Sequence, residues 1–419
     1  MDFKNYLVPG KTGLLIGIGG VSMSPLAEVL HDAGLDIRGS DMAESSNTLT
    51  LRERGIPIHI GHSADNVTDD ISFVIRTAAV HDDNPEVHEA HRRGIPVFER
   101  TQAWGALMRG YQNALCISGT HGKTTTTSMC THIMMAAEKD PTVMIGGTLP
   151  LLKACHRVGK GNTIIMESCE YYNSFLALNP TIAVVLNIEA DHLDFFKDLE
   201  DIKHSFRCFA ERVPAETGTV IANYDDANTM DALRGIARKV ITFGLNAKAD
   251  VYAQNIVHRG SVSEFDIYHR GNYFARVTLH VPGIHNVRNA LAATAAAIVL
   301  GVSPNAVKYG LAGFEGAGRR FDFKGKFQGA DLYDDYAHHP SELRALLDAV
   351  DTLNYQRTIV VFQPHTYSRT AKLFNDFVEQ LRRPTIVYLA EIYAAREKNT
   401  IGISSADLAA QIPGAKFYP

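Results

Sequence analysis

Residues 115–130 read LCISGTHGKTTTTSMC, an apolar stretch that runs through two glycines into a lysine and four threonines. A strand that enters a glycine turn and then a helix leaves backbone N–H groups unpaired in the first helical turn, and these donors bind anions. A lysine at the turn adds charge for the outer phosphates, and a hydroxyl just after it reaches a bound magnesium ion. Gly119, Gly122, Lys123 and Thr124 stand in this order, so the stretch predicts a nucleotide-phosphate site.

The spacing of this loop departs from the common phosphate-binding pattern. G-x-x-x-x-G-K would place a glycine at position 117, where Ile117 stands, and the pattern here is G-x-x-G-K-T-T. A glycine turn capped by threonines is the structural alternative, but an apolar strand and a helix flank the turn as phosphate binding requires. We expect Thr124 to ligate magnesium and Thr125 to touch phosphate, whereas Thr126 and Thr127 are ordinary helix residues.

Candidate magnesium ligands follow two later apolar runs. Magnesium takes one or two protein oxygens and keeps several waters. Glu167 directly follows the run TIIM, while Glu170 is expected to be an exposed carboxylate. Farther along, the strand ending at Asn187 is followed by Asp191 and His192. His192 is either a structural histidine or a ligand, because α/β sheets bind ligands beyond the carboxyl ends of their strands.

The elements that must position these residues alternate between short apolar runs and helical patterns, which predicts parallel sheets wrapped by helices. In the first hundred residues the stretches GLLIGIGG, LDIRGSD, FVIRTAAV and IPVFER are predicted strands. The rhythm restarts near residue 108 and again near 322. We therefore predict an α/β protein with domains at 1–107, 108–321 and 322–419. Because the chain ends at Pro419, the third domain is expected to be either truncated or compact.

Composition excludes several classes of protein. Lys and Arg number 41 against 46 Asp and Glu, a net charge of -5 that gives no reason to expect a nucleic-acid partner. Five scattered cysteines without a C-x-x-C pair argue against disulfides and zinc knuckles. No signal peptide or apolar window of membrane-spanning length is found. The sequence predicts a cytoplasmic protein with no membrane insertion.

The stretch GIGGVSMSPLAEVL resembles a dinucleotide fingerprint, but a third glycine would be needed where Ser22 stands. Asp41, after the second predicted strand, is placed where acidic residues meet a ribose hydroxyl. A nicotinamide site stays possible on these residues. Two nucleotide-type sites on successive domains favour a different reaction, the transfer of a phosphoryl group from ATP to an acceptor that is carried by a nucleotide.

Ten blocks in order resemble the Mur ligases of peptidoglycan precursor synthesis, and the resemblance runs from about residue 12 to the end of the chain. The blocks are GIGGVSMSPLAEVL, GSD, SGTHGKTTT, ESCEYYNSF, NIEADHLD, PGIHNVRNALAA, GAGRRFDF, DDYAHHPSE, FQPHTYSRT and EIYAAREK. The resemblance implies a Rossmann-like N-terminal domain for a UDP-sugar, a central ATPase domain with a phosphate loop and a mainly parallel sheet, and a C-terminal Rossmann-like domain for an amino acid.

The activity implied by the resemblance is an ATP-dependent amide ligation. UDP-N-acetylmuramate, L-alanine and ATP would be the substrates, ADP and phosphate would be released, and two Mg²⁺ ions would be the cofactors. A free carboxylate does not accept an amine at neutral pH, so the route runs through an acyl phosphate, a step that consists mostly of positioning and charge neutralisation. The protein is expected to act as a monomer or a homodimer.

The resemblance also implies roles for individual residues. Catalytic roles fall on Lys123, Glu167, His192 and Arg320, and metal ligation on Thr124, Glu167 and His192. The implied ATP-binding residues are Gly119, Thr120, His121, Gly122, Lys123, Thr124, Thr125, Asn286, Asn289, Arg319, Arg320 and Asp335. The implied UDP-sugar site comprises Gly17, Gly19, Gly20, Ser22, Met23, Ser24, Ser40 and Asp41, and the amino-acid pocket comprises Tyr336, His338, His365 and Arg369.

The sequence departs from the family pattern at several positions. Ser22 and Pro25 replace glycines of the UDP loop, Thr366 stands where many relatives have a second arginine, and Arg207 occupies the place of a lysine that some sister ligases carbamylate. Three alternatives to the alanine ligase stay open. They are a murein-peptide recycling ligase of the same fold, a nicotinamide-dependent oxidoreductase, and a non-catalytic nucleotide-binding regulator.

Overall fold

The computed structural model describes residues 2–77, 79–395 and 397–419. Ala78 of the predicted strand FVIRTAAV and Arg396 of the block EIYAAREK lie outside the described residues. Among the described residues, no helix has the length and apolar character needed to cross a membrane.

The N-terminal part is a five-stranded parallel sheet in the order β3-β2-β1-β4-β5. Its strands are β1 (Thr12–Ile16), β2 (Asp36–Asp41), β3 (Ile58–Ile60), β4 (Ile71–Arg76) and β5 (Val97–Glu99). Its helices are α1 (Ser24–Asp32), α2 (Ser46–Glu53), α3 (Pro85–Arg92) and α4 (Arg100–Met108), with short 3₁₀ turns at Phe3–Tyr6 and Ala64–Asn66. The strand order reverses at β1, so the glycine-rich loop after β1 lies at the switch point where such sheets bind ligands.

The central part is built on a ten-stranded sheet in the order β15-β14-β13-β12-β11-β10-β6-β9-β7-β8. Its strands are β6 (Asn113–Ser118), β7 (Thr142–Leu149), β8 (Ala154–Arg157), β9 (Thr163–Glu167), β10 (Ile182–Val185), β11 (Thr219–Asn223), β12 (Lys239–Gly244), β13 (Val251–Arg259), β14 (Val262–His269) and β15 (Asn272–Leu279). Its helices are α5 (Lys123–Ala136), α6 (Leu199–Ala210), α7 (Ala227–Ala232), α8 (Ile284–Val299) and α9 (Pro304–Ala312), with a 3₁₀ segment at Tyr171–Ala177.

The C-terminal part consists of a hairpin followed by a three-stranded parallel sheet in the order β18-β19-β20. Its strands are β16 (Asp322–Phe327), β17 (Ala330–Asp334), β18 (Ile359–Phe362), β19 (Ile386–Ala390) and β20 (Lys416–Tyr418). Its helices are α10 (Pro340–Asp351), α11 (Tyr367–Lys372), α12 (Phe374–Leu381) and α13 (Ser405–Gln411).

The order of three central strands explains why distant motifs meet. β6 pairs in parallel with β10 on one side and with β9 on the other. Their carboxyl ends therefore share one edge of the sheet, which brings the loop after Ser118 beside Glu167 and the segment after Val185. These strands are almost wholly buried, as expected for continuous apolar runs covered by helices on both faces.

The predicted class, an α/β protein of three domains with mainly parallel sheets, is confirmed. The domain boundaries near 107 and 322 stay predictions. In the structure α4 ends at Met108 and β16 begins at Asp322.

Candidate active site

The loop between β6 and α5 requires both of its glycines. Gly119 and Gly122 have φ angles of +145° and +83°. A Cβ atom on Gly119 would approach Leu186 Cβ to 2.8 Å, and one on Gly122 would approach Asn289 Oδ1 to 2.7 Å. Because α5 begins at Lys123, the unpaired N–H groups of its first turn lie at this loop. The strand, glycine turn and helix predicted from the sequence are present.

Asn187, two residues after the end of β10, holds this loop in place. The His121 N–H donates to Asn187 Oδ1 at 2.8 Å, and Asn187 Nδ2 donates to the His121 carbonyl at 3.1 Å. The Thr120 N–H donates to the Asn187 carbonyl at 3.0 Å. The sequence marked Asn187 only as the end of a strand, and no spacing rule links it to a loop about 66 residues earlier.

Lys123 lies within the loop rather than reaching into solvent. Its ammonium donates to the carbonyls of Gly119 and Thr120 and to Glu170 Oε2 at 2.9 Å. Burial favours the neutral amine, but the charge of Glu170 outweighs burial and raises the pKa of Lys123 above its ordinary value. The expectation that Glu170 is exposed is wrong, because its side chain is 3% exposed and forms this ion pair. The pattern of apolar and polar residues in the sequence could not show that Glu170 pairs with Lys123, which is distant in the chain.

Thr124 and Glu167 form a compact set of oxygen donors at the start of α5. Thr124 Oγ1 donates to Glu167 Oε1 at 3.1 Å, and the Gly146 N–H donates to Glu167 Oε2 at 2.6 Å. A hydroxyl and a carboxylate next to a phosphate loop are the hard ligands that Mg²⁺ takes while it keeps several waters. The donor chemistry fits the predicted cation.

His192 lies on the other side of Glu170 with an unusual backbone conformation. Its φ is +51°, and its Nε2 is 3.9 Å from both Glu170 Oε1 and Asp191 Oδ2. The imidazole stacks on Tyr171 with ring centroids 4.3 Å apart. Burial lowers the pKa of His192, although the neighbouring carboxylates oppose that effect. A neutral imidazole can donate a lone pair to a cation, so the position agrees with the predicted ligand role.

A cavity of about 710 Å³ opens beside the loop and gathers predicted ATP residues from three segments of the chain. The predicted residues that line it are His121, Gly122, Thr124, Thr125, Asn286, Asn289, Arg320 and Asp335. Asn289 Nδ2 donates to Asn286 Oδ1 at 3.2 Å, and Asn286 Nδ2 donates to the Pro282 carbonyl at 2.7 Å. A volume of this order suits a nucleotide.

Two adjacent arginines enter this region from the hinge before β16. The guanidinium carbons of Arg319 and Arg320 lie 4.7 and 5.3 Å from the Tyr336 ring centroid. Arg320 lines the cavity, and its Nη1 is 3.8 Å from Glu342 Oε1. Arg319 is not among the residues that line it. Arg320 is therefore the better placed of the two to meet a phosphate.

Asp335 lines the same cavity but its two oxygens already serve the backbone. They accept the N–H groups of Phe321 and Ala337, both at 2.7 Å. Burial raises the pKa of Asp335 above its ordinary value, although these donors and Arg320 act in the opposite direction. Asp335 thus orders the hinge, and a ligand contact from it stays a prediction.

The phosphate loop is joined to the C-terminal part through a polar cluster that the sequence did not predict. His121 Nδ1 lies 3.2 Å from Glu342 Oε1, and His121 Nε2 lies 3.4 Å from Glu189 Oε2. Glu189 also accepts the Ser341 hydroxyl, and His339 Nδ1 is 3.9 Å from it. Burial lowers the pKa of His121, but the two carboxylates outweigh it and raise the pKa to about 9.

The geometry of this cluster would also suit a metal ion, since His121, Glu189 and His339 offer ligand atoms within 4.8 Å of one another. When no cation is bound, a doubly protonated His121 ring balances the two carboxylates, since each of its nitrogens faces one of them. The cluster is an ion-pair network that docks α10 onto the phosphate loop.

The predicted amino-acid residues form a row of rings beside α11. Ring centroids are 5.1 Å apart for Tyr336 and His338, 5.7 Å for His338 and His365, and 5.4 Å for His365 and Tyr393. Burial is the main reason that the pKa of His365 is lowered to about 4, so its ring is neutral at pH 7. The four predicted residues are brought together, and Tyr393 joins them without having been predicted.

Arg369 is engaged more fully than its predicted role in alanine binding implied. Its Nε and Nη2 donate to Asp191 Oδ1 at 3.0 and 2.8 Å, and its Nη1 lies 3.2 Å from His365 Nδ1. Thr366, which replaces an arginine of many relatives, has a φ of +69° and donates its N–H to the Tyr393 carbonyl at 2.9 Å. Arg207, which replaces the lysine of some sister ligases, donates to the Ala232 and Arg234 carbonyls and not to the predicted site residues.

The predicted UDP-sugar loop follows β1 at the switch point of the first sheet. Gly17 has a φ of +77°. The Gly19 N–H donates to Asp41 Oδ2 at 2.8 Å, and Asn47 Nδ2 donates to the Gly19 carbonyl at 2.8 Å. Asp41 therefore orders the loop in this structure, and its contact to a ribose stays a prediction.

Three of the predicted UDP-sugar residues have buried side chains. Met23 and Ser40 are 0% exposed and Ser24 is 2% exposed, so a ligand contact from any of them stays a prediction. The Ser40 hydroxyl donates to Glu86 at 2.7 Å. Ser22 differs, because its hydroxyl accepts a hydrogen bond from Arg100.

Three α/β parts with mainly parallel sheets, a phosphate loop, carboxylates at adjoining strand ends and an arginine from a third segment form the kind of nucleotide site that ATP-dependent ligases use. Family models match almost the whole chain. The Mur ligase family catalytic domain matches residues 15–112, the Mur ligase middle domain 117–297, and the Mur ligase glutamate ligase domain 319–418. The chain belongs to the Mur ligase family.

Curated relatives point to one enzyme within this family. The UDP-N-acetylmuramate--L-alanine ligase of Agathobacter rectalis is 47% identical over 394 residues, covering 94% of this chain and 86% of the relative. The enzyme of the same name from Clostridium novyi is 45% identical over 412 residues, covering 98% of this chain and 89% of the relative.

Solved structures show the same architecture. The crystal structure of UDP-N-acetylmuramate-alanine ligase MurC from Thermotoga maritima matches with a TM-score of 0.79 and 29% identity, over 97% of this chain and 90% of that one. The ligase of UDP-N-acetylmuramate and L-alanyl-γ-D-glutamyl-meso-diaminopimelate from Neisseria meningitides matches with a TM-score of 0.66 and 26% identity, over 73% of this chain and 99% of that one.

Proposed function

We propose that this protein joins L-alanine to the carboxyl group of UDP-N-acetylmuramate with the hydrolysis of ATP to ADP and phosphate, in peptidoglycan precursor synthesis. The observation that carries the proposal is the arrangement of Lys123, Thr124 and Glu167 around one phosphate loop, in a chain 47% identical to a ligase of that name. We further propose that it works in the cytoplasm as a monomer or homodimer.

The first chemical step activates the acceptor. An oxygen of the substrate carboxylate attacks the γ-phosphorus of ATP, the bond from that phosphorus to the ADP oxygen breaks, and an acyl phosphate forms. Lys123 and the loop N–H groups bind the β- and γ-phosphates. Arg320 approaches from the hinge and balances the charge of the transferred group, which ties the step to closure of the C-terminal part.

Two Mg²⁺ ions fit the donors of this site. Thr124 and Glu167 would hold one, and His192 with the neighbouring Glu170 would hold the other. When bound, Mg²⁺ neutralises charge on the phosphate oxygens. Glu170 has a second task in this scheme, because it holds Lys123 in the loop until the nucleotide phosphates replace it as the partner of the ammonium.

The second step forms the amide. The amine of L-alanine attacks the acyl carbon, the bond to the phosphate oxygen breaks, phosphate leaves and the amine loses a proton. Tyr336, His338, His365 and Arg369 bind and orient the amino acid. His365 is neutral at pH 7, so it adds no positive charge that would repel the ammonium group of the amino acid.

The Neisseria structure gives a specific reason to test a second acceptor amine. A murein-peptide recycling ligase would use the same sugar nucleotide and ATP but a tripeptide in place of alanine. The identity of 47% to an L-alanine ligase, against 26% to the Neisseria enzyme, favours alanine as the acceptor amine. Family membership argues against a nicotinamide-dependent oxidoreductase.

The test compares co-substrates at equal concentration. ADP release is measured with UDP-N-acetylmuramate and ATP in the presence of L-alanine, of L-alanyl-γ-D-glutamyl-meso-diaminopimelate, or of neither. The proposal requires ADP release that depends on L-alanine. Release that depends on the tripeptide alone would assign the recycling activity, and absence of release with either would leave a nucleotide-binding regulator.

A further inference from the structure

Arg100 begins α4 directly after β5 and reaches across the first sheet to the predicted UDP-sugar loop. Its Nη1 donates to the Ser22 hydroxyl. Trp104, one turn later on α4, donates its indole N–H to the Ser22 carbonyl at 3.3 Å. Two side chains of one helix therefore fasten the residue that replaces a fingerprint glycine.

Arg100 has no acidic partner among the described residues. Salt bridges join other arginines of this part to carboxylates, but no Asp or Glu oxygen of the described ranges lies within 4.0 Å of Arg100. The carboxylate of the adjacent Glu99 is taken by Arg76 at 3.0 Å. Burial lowers the pKa of Arg100, although the charge of the adjacent Glu99 acts in the opposite direction. A part-buried guanidinium without a counter-ion is costly, and such cations are normally paired.

Arg100 also lies near a residue of the central part. Cys169, whose side chain is exposed, is close enough to both Arg100 and Lys123 for their charges to act on its thiol. Arg100 of the N-terminal part and Lys123 of the central part therefore both lie near this thiol.

The loop itself cannot balance a dianionic ligand. Residues 17–24, GIGGVSMS, contain no Lys, Arg or His, so the loop offers only backbone N–H groups and the start of α1. Helix-end donors bind phosphate, but they contribute about half a positive charge. A full charge must come from another element, and Arg100 is the arginine bonded to this loop.

We propose that Arg100, held by Ser22, binds the diphosphate of the sugar nucleotide and makes the glycine-poor loop competent for UDP-sugars. This inference rests on the proposed function and names a residue for its first substrate. This role explains why a serine rather than a glycine stands at position 22. A glycine would permit closer backbone approach, whereas serine supplies the hydroxyl that orients the guanidinium.

The test is equilibrium binding of UDP-N-acetylmuramate and UDP-N-acetylglucosamine by titration calorimetry, with thermal unfolding of every variant. The second nucleotide has the diphosphate but no lactyl carboxylate.

For Arg100→Gln we expect a loss of about ten- to hundredfold in affinity for both nucleotides, an unchanged melting temperature, and a raised KM with nearly unchanged kcat. Arg100→Lys should recover part of the affinity. Arg109→Gln, at the other end of α4, is the matched control.

The outcomes separate the possibilities. Equal affinities for wild type and Arg100→Gln would overturn the inference, and so would a loss confined to UDP-N-acetylmuramate, which would place the lactyl carboxylate at Arg100. A lowered melting temperature with unchanged affinity would make the residue structural. Failure of the wild type to bind UDP-N-acetylmuramate would instead contradict the proposed function, and this inference would fall with it.

Discussion

Arg369 and Asp191 form a buried ion pair between α11 and the segment that follows β10. Two nitrogens of Arg369 donate to Asp191 Oδ1 at 3.0 and 2.8 Å, and both side chains are 8% exposed. Burial alone would raise the pKa of Asp191, but His192 and Arg369 outweigh burial and hold the pKa well below its usual range. This ion pair therefore joins the C-terminal part to the central part beside the residues predicted to bind the amino acid.

Asp191→Asn should open this interface. Removing one charge of a buried pair costs about 3–5 kcal/mol when the other stays buried. Opening lets water solvate Arg369, so we expect a larger radius of gyration in small-angle X-ray scattering and a KM for L-alanine raised about tenfold. Asp70→Asn, which breaks a surface pair with Arg38, is the control. An unchanged radius together with an unchanged KM would exclude a docking role.

Lys123→Ala should abolish turnover and also destabilise the protein. The substitution leaves Glu170, only 3% exposed, without its counter-ion, at a cost of about 3–5 kcal/mol. The double variant Lys123→Ala, Glu170→Gln should regain most of the stability but no activity. Urea unfolding and ADP release measure the two effects separately. Turnover that persists in the single variant would contradict the role of the loop lysine.

The docking of α10 on the phosphate loop should weaken in alkali. The pKa of His121 is raised from 6.5 to about 9, so its stabilisation is complete below about pH 6.5 and is lost as the pH rises through about 9. Glu342→Gln removes one carboxylate partner. The difference in melting temperature between wild type and this variant should shrink from pH 6.5 to about 9.5. A difference that stays constant with pH would show that His121 is not charged.

Substitution by valine should have different effects at Thr124 and at Thr126. It should impair Mg²⁺ binding at Thr124 but leave activity intact at Thr126. Thr126 Oγ1 is buried and has no hydrogen-bond partner among the described residues, so Thr126→Val should leave activity unchanged and stabilise the protein by about 1 kcal/mol. Thr124 Oγ1 bonds Glu167, and Thr124→Val should raise the Mg²⁺ concentration for half-maximal activity about 10- to 100-fold. Titrations of Mg²⁺ and urea compare the pair. Equal Mg²⁺ dependence would contradict the assignment of Thr124.

Local pattern was sufficient for much of this architecture. The loop from Gly119 to Thr124 was predictable because its strand, turn and helix are contiguous, and Glu167 because it ends an apolar run. The three-domain class followed from the same alternation of strands and helices.

Contacts across long sequence separations were not predictable. Glu170 is buried because Lys123 lies opposite it, Asp191 because α11 docks on it, and Arg100 meets Ser22 across 78 positions. Each depends on how separate elements pack, which the spacing of residues within one element does not encode. The buried Ser40 shows the same limit, because its position in a motif says nothing of its partner Glu86.

The central claim is that ATP activates the carboxylate of the sugar nucleotide before the amine attacks. UDP-N-acetylmuramate labelled with oxygen-18 in its carboxyl group tests this step directly, because one carboxyl oxygen must leave with the phosphate. After turnover with ATP and L-alanine, mass spectrometry of the inorganic phosphate should find one labelled oxygen per molecule, and the new amide should keep the other. Unlabelled phosphate, released with amide formation, would contradict the account.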